Sequence, residues 1–207
     1  KGGALVTAGL GTGSQTARWA ARINDAIGAS GQTLKLTPPV ANPGIDVASL
    51  GELVTDMDNG QVDTLVILDA NPVYTAPGSL DFVNALSKVK TSIHIGLYRD
   101  ETGHRCNWQL PLTHDLESWS DARAVDGTAT IIQPVITSFY DVRSRHQILA
   151  MMFGRDEEAD ALVKETWRNA FGDSFDAQWK KALRDGFVAG STAQAQAKPA
   201  SGWTEPA

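Results

Sequence analysis

Five consecutive residues constrain this chain more than any other feature. Thr64-Leu65-Val66-Ile67-Leu68 runs apolar and β-branched without the polar alternation of a half-exposed strand. Such a run suits a parallel strand buried on both faces, and it reads as the centre of a sheet. Neighbouring parallel strands need long crossovers, usually helical, so the flanking segments should alternate between helix and strand.

They do. Upstream, Ala4 to Ala8 is a short apolar run ending in Gly9-Leu10-Gly11-Thr12-Gly13. Ser14 is placed to cap a helix through Ile27, with Ala17, Trp19, Ala20, Ile23 and Ile27 on one apolar face and Gly28 ending it. Thr33 to Leu36 reads as a second strand. Ser49 and Glu52 form a capping box for a helix whose apolar face is Leu50, Leu53, Val54 and Met57, stopped by Gly60. Downstream, Asp69 to Pro77 is a polar loop, Ser79 caps a helix from Leu80 to Val89, and Ser92 to Ile95 is the next strand. Shorter strands are expected near Trp108 to Leu110 and Thr128 to Ile132, on either side of an acidic loop from His114 to Asp126. Three β-α repeats predict right-handed crossovers. The fold class is therefore α/β: a doubly wound, mostly parallel, Rossmann or flavodoxin-like sheet with a C-terminal helical extension.

The expected boundaries are 1–143 for the α/β domain and 144–189 for the helical extension. That extension comprises Ser144 to Phe153, Asp156 to Phe171 and Ser174 to Phe187, separated by Gly154 and Gly172. Residues 190–207, rich in Ala, Gln, Ser, Thr and Pro, read as a linker or disordered tail. The chain opens on Lys1 directly before its first strand, which suggests a piece of something longer. No apolar run approaches the roughly 20 residues of a membrane span. A formal charge of −6 and no basic stretch interleaved with aromatics argue against nucleic-acid binding.

Ligands of open α/β sheets lie beyond the carboxyl ends of the strands, so three loops compete: Gly9 to Gly13, Asp69 to Pro77 and Tyr98 to Gly103. In a 2-1-3-4 strand order all three line one crevice. The first loop is neither G-x-G-x-x-G nor a P-loop, and Leu36-Thr37-Pro38 lacks the acid that would bind a ribose. Asp69-Ala70-Asn71-Pro72 is more informative, because Asn before Pro fixes a turn and leaves a carboxamide available. His94, His104, His114 and His146 are scattered. His104 and Cys106 are a close pair but too few ligands for zinc, and Cys106, the single cysteine, reads as a small buried hydrophobe. There is no G-x-S-x-G elbow. Trp19, Trp108, Trp167 and Trp179 read as core or interface anchors, and Trp119 as a docking residue. No catalytic constellation and no metal site is complete.

In order, the chain carries Leu65-Val66-Ile67-Leu68-Asp69-Ala70-Asn71-Pro72, a strand ending near Tyr98, Asp100-Glu101-Thr102, Cys106-Asn107-Trp108-Gln109-Leu110-Pro111, Glu117, Asp126-Gly127 and Gln133-Pro134. This series resembles the third domain of the molybdopterin oxidoreductase large-subunit family over roughly Ala4 to Gly154. That domain has a Gly-x-Asn-Pro loop after a strand, then a Glu-Thr pair and an Ala-Asp-Val-Val-Leu-Pro strand. Leu116 to Arg123 and Gln178 to Gly186 look most like the iron–sulfur, quinol-oxidising subunits of alternative complex III. The resemblance implies an exported, periplasm-facing, membrane-associated respiratory complex whose other domains and subunits are the partners. It also implies iron–sulfur clusters elsewhere in the parent chain.

In the molybdenum enzymes this domain holds the nucleotide end of molybdopterin guanine dinucleotide. The resemblance therefore puts Asp69, Asn71, Pro72, Asp100 and Thr102 in the cofactor-binding loops. Two departures, Asp69-Ala70 where glycines are usual and Cys106-Asn107 for Ala-Asp, mark that site as vestigial. Two expectations follow: a non-catalytic scaffold without cofactor in this segment, or a functional guanine dinucleotide-binding domain.

Overall fold

A computed structural model describes residues 3–9, 11–38, 40 and 49–195. Two compact units are formed, one by the described residues of Lys1–Pro43, Arg123–Ala129 and Ala189–Ala207, the other by those of Gly44–Ala122 and Thr130–Val188.

In the first unit, α1 (Ser14–Ala26) has Gly13, not Ser14, at its N-cap position. Ala20 is buried, but Trp19 and Ile23 of the expected apolar face are exposed. The expected strand Ala4 to Ala8 joins no sheet. Asn24 supplies what a neighbouring strand would have: its Oδ1 accepts from the Val6 N–H and its Nδ2 donates to the Val6 carbonyl, both at 2.8 Å. Thr33 to Leu36 is likewise no strand. Leu34 forms only an isolated bridge with Ser30. Of the expected tail, Ser191 and Ala193 bond to the segment around Asp126–Ala129, and 196–207 lie outside the described residues.

The second unit begins at α2 (Leu50–Asp58), where the Ser49–Glu52 capping box forms as expected. Gly60, at φ 69°, follows it. Next come β1 (Thr64–Leu68), α3 (Pro72–Thr75), α4 (Phe82–Lys88), β2 (Thr91–Gly96) and β3 (Trp108–Pro111). Ser79 is not a cap; Gly78–Leu80 is a 3-10 turn and Asp81, left-handed at φ 44°, precedes α4. The sheet is parallel in the order β1-β2-β3. Consequently β2, not β1, is central, and only Ile67 of β1 is buried.

Cross-strand partners share a face, so register sorts the side chains. Ile67, His94 and Gln109 are aligned on one face. There Ile67 packs with Val54, Met57, Phe82, Ala85, Leu86 and Val89 of the α2–α4 side. Burying residues such as Phe82 or Leu86 contributes about 1.5–3 kcal/mol each. The other face carries Val66, Ile93, Ile95 and Leu110. These floor an apolar groove of about 420 Å³ whose wall includes Ile148, Met151 and Met152.

Those three residues belong to α5 (Arg145–Met152), which is capped by a Ser144–Gln147 box. It follows the hairpin of β4 (Ser120–Arg123) and β5 (Ala129–Ile132), so the expected acidic loop contains a strand. Then come α6 (Ala159–Phe171) and α7 (Phe175–Asp185), held by a run of rings. Trp167, Phe171, Phe175, Trp179 and Trp119 follow one another at centroid spacings of 5.1, 6.4, 5.6 and 6.0 Å. Trp119, half-buried, thus joins this run of rings, whereas Trp108 is 62% exposed. The second unit is a mixed α/β fold with a parallel sheet and C-terminal helices, consistent with the Rossmann or flavodoxin-like class.

Candidate functional site

The carboxyl ends of β1 and β2 release two loops, Asp69–Asn71 running into α3 and the turn from Tyr98 to Cys106. In the first, Asp69 adopts φ 52°, a left-handed backbone that a non-glycine residue rarely takes. The physical sense of glycine at such a position is therefore plain, and Asp is among the residues that tolerate it best. Its carboxylate reaches Arg145 at 3.0 Å, and the same guanidinium meets Asp115 at 3.3 Å. Pro72 begins α3, where a missing N–H costs nothing.

Asn71 faces the second loop. Its Nδ2 donates to Glu101 Oε2 at 2.7 Å, and its Oδ1 accepts from the Thr102 hydroxyl at 2.7 Å and the Thr102 N–H at 3.3 Å. Thr102 is fully buried, and its Oγ1 accepts in turn from the Val73 N–H at 3.0 Å. The bond from Asn71 is the main cause that holds the Glu101 carboxyl below its ordinary range. Asp100 turns inward, accepting from the Gly103 N–H at 2.9 Å, while its carbonyl accepts from His104 Nδ1 at 2.8 Å. Asn71, Asp100 and Thr102 are thus brought together, with Asp69 and Pro72 at the entry of the same loop.

Beneath them lies His94, also fully buried. Its Nε2 is 3.1 Å from the Ala70 carbonyl and its Nδ1 2.6 Å from Gln109 Oε1. In the sequence His94 is one of four scattered histidines. The available signal was a polar side chain in an apolar strand, at the position paired with Ile67.

Asn107, one of the two departures, closes the start of β3 against β2. Its Oδ1 accepts from the Ser92 N–H at 2.7 Å and the Ser92 hydroxyl at 3.0 Å. Cys106 is partly buried against the apolar core, and that burial pushes its thiol up. Among the described residues no three His, Cys, Asp or Glu side chains gather as a metal site, and no helix is long and apolar enough to cross a membrane. The glycine loop Gly9 to Gly13 belongs to the first unit, where Thr12 closes it through bonds to the Gly9 carbonyl.

Fold and loops together define an α/β protein whose candidate site sits at the carboxyl ends of parallel strands. No family profile matches the chain. Over 99 residues, 48% of its length, it is 25% identical to the menaquinone reductase, molybdopterin-binding-like subunit of Nitratidesulfovibrio vulgaris. Those residues are 13% of that relative, so the chain corresponds to a small part of a much longer subunit. The relationship is molybdopterin oxidoreductase-like.

Proposed function

We propose that this chain is a non-catalytic, molybdopterin oxidoreductase-like scaffold domain of a larger redox subunit. The parent serves a quinone-linked electron-transfer complex of the alternative complex III type, on the exported, periplasmic side of a membrane. Its partners are the other domains and subunits of that complex, and its iron–sulfur clusters lie outside this segment. The similarity to a menaquinone reductase subunit and the order of motifs from Leu65 to Pro134 support the placement.

One observation carries the scaffold reading: the clasp of Asn71 with Glu101 and Thr102. A guanine nucleotide needs free donors at these loops, yet both ends of the Asn71 carboxamide and the Thr102 hydroxyl bond within the protein. The same loops carry the carboxylates of Asp69, Asp100 and Glu101, which repel phosphate oxygens. Arg145, the cation beside Asp69, is already shared between two carboxylates. The arrangement does not fit the nucleotide end of a pterin cofactor.

Calorimetric titration with guanosine diphosphate tests this. The expected result is no saturable heat at micromolar concentrations. Saturable micromolar binding that disappears in Asn71→Ala would instead establish a functional dinucleotide-binding domain.

A further inference from the structure

We propose that the loop 134–140 of the second unit is a shallow membrane-docking tip, whose rings enter the apolar boundary of a lipid bilayer. The inference rests on side-chain exposure and charge, and does not depend on the scaffold role. Phe139 and Tyr140 are 79% and 80% exposed. Such values belong to rings that project from the body, since a ring lying flat on the surface has one face covered. Leu116, Val135 and Ile136 are exposed as well, and residues 130–140 include no charged side chain. An exposed apolar patch of this kind marks an interaction site.

The tip is held in shape by its own backbone. The Leu116 carbonyl accepts from the N–H groups of Val135 at 2.8 Å and Ile136 at 3.2 Å. The Tyr140 carbonyl accepts from the Ser138 hydroxyl and the Val142 N–H, each at 3.0 Å. Groups paired in this way carry no unmet hydrogen bond into an apolar phase, where one is costly. Asp141 and Arg143, paired at 3.0 Å, follow the tip and limit its depth, because a charge pair stays at headgroup level. Tyrosine suits that boundary, with an apolar ring below and a hydroxyl among the headgroups. A bilayer also accounts for the projection of the rings. A deformable apolar phase needs no pocket matched to them, whereas a protein partner seats its aromatic anchors in well-packed pockets. A net charge of −6 opposes adsorption to anionic headgroups, so apolar burial supplies the attraction.

Co-sedimentation of the chain with phosphatidylcholine vesicles tests this, with sedimentation velocity of the lipid-free chain beside it. The expected result is binding at millimolar lipid that added phosphatidylglycerol does not strengthen. Phe139→Ser together with Tyr140→Ser should weaken it by about tenfold or more. Tyr74→Ser, at a comparably exposed ring on α3, should leave it unchanged. Phe139→Asp, a single change, should act like the double variant and serves if that variant does not fold. Absence of binding, or binding that survives these changes, would overturn the proposal, as would binding found only with phosphatidylglycerol. Self-association of the lipid-free chain that the same changes abolish, without vesicle binding, would assign the tip to a second copy instead.

Discussion

At Asp69 the chain leaves β1 in a left-handed conformation, and the side chain there carries two opposed consequences. The backbone costs about 1–2 kcal/mol relative to an ordinary conformation for an L-residue, while the half-exposed pair with Arg145 returns at most about 1 kcal/mol. Asp69→Gly is therefore expected to be nearly neutral in urea unfolding. Asp69→Val, β-branched and unable to bond locally, should lose about 1–2 kcal/mol; equal stability of the two variants would show that the turn is not left-handed in solution. In the second loop, Glu101 offers a reading of the clasp itself. Its folded carboxyl is depressed chiefly by the bond from Asn71, so the stabilisation it provides is complete above the ordinary carboxylate range. That contribution is lost as pH falls through the lowered folded value. In Asn71→Ala the Glu101 titration, followed by carbon-13 NMR, should move up toward an unperturbed glutamate. An unmoved midpoint would mean that the carboxamide does not reach it.

Helix caps and strands are where sequence and structure can be compared most directly. Ser144 caps α5 and is buried, accepting from the Gln147 N–H at 3.1 Å while Gln147 returns a bond to the Ser144 N–H. Ser144→Ala should cost about 1 kcal/mol in urea unfolding. It should also loosen Arg145, the next residue, from Asp69 and Asp115; no change in stability would place the helix start elsewhere. The Ser49–Glu52 box and the run Thr64 to Leu68 were legible because each is written in adjacent residues. What was not legible depends on distant partners. Whether Ala4 to Ala8 becomes a strand is settled by Asn24, eighteen residues on, which takes up the Val6 backbone groups. Similarly, Asn71-Pro72 announced a turn, and the order of motifs drew attention to Asp100 and Thr102. That the carboxamide is spent on Thr102 and Glu101 is a tertiary fact with no local signature. His94 was hidden for the same reason: its partners, Ala70 and Gln109, are 24 and 15 residues away.

On the scale of the whole molecule, the second unit carries an apolar groove between its sheet and α5. A parallel sheet is ordinarily covered on both faces, yet in the second unit α2 and α4 cover one while Trp108 and Leu110 on the other stay exposed. The loop after β1 and the loop after β2 are fastened to each other through Asn71, Glu101 and Thr102. Amide hydrogen exchange at Val73 and Thr102 reads both ends of that fastening, since their N–H groups donate to Thr102 Oγ1 and Asn71 Oδ1. Protection at both amides comparable to the β2 core is expected, unaltered by guanosine diphosphate. Rapid exchange in the free chain, or protection that appears only when the nucleotide is added, would contradict it.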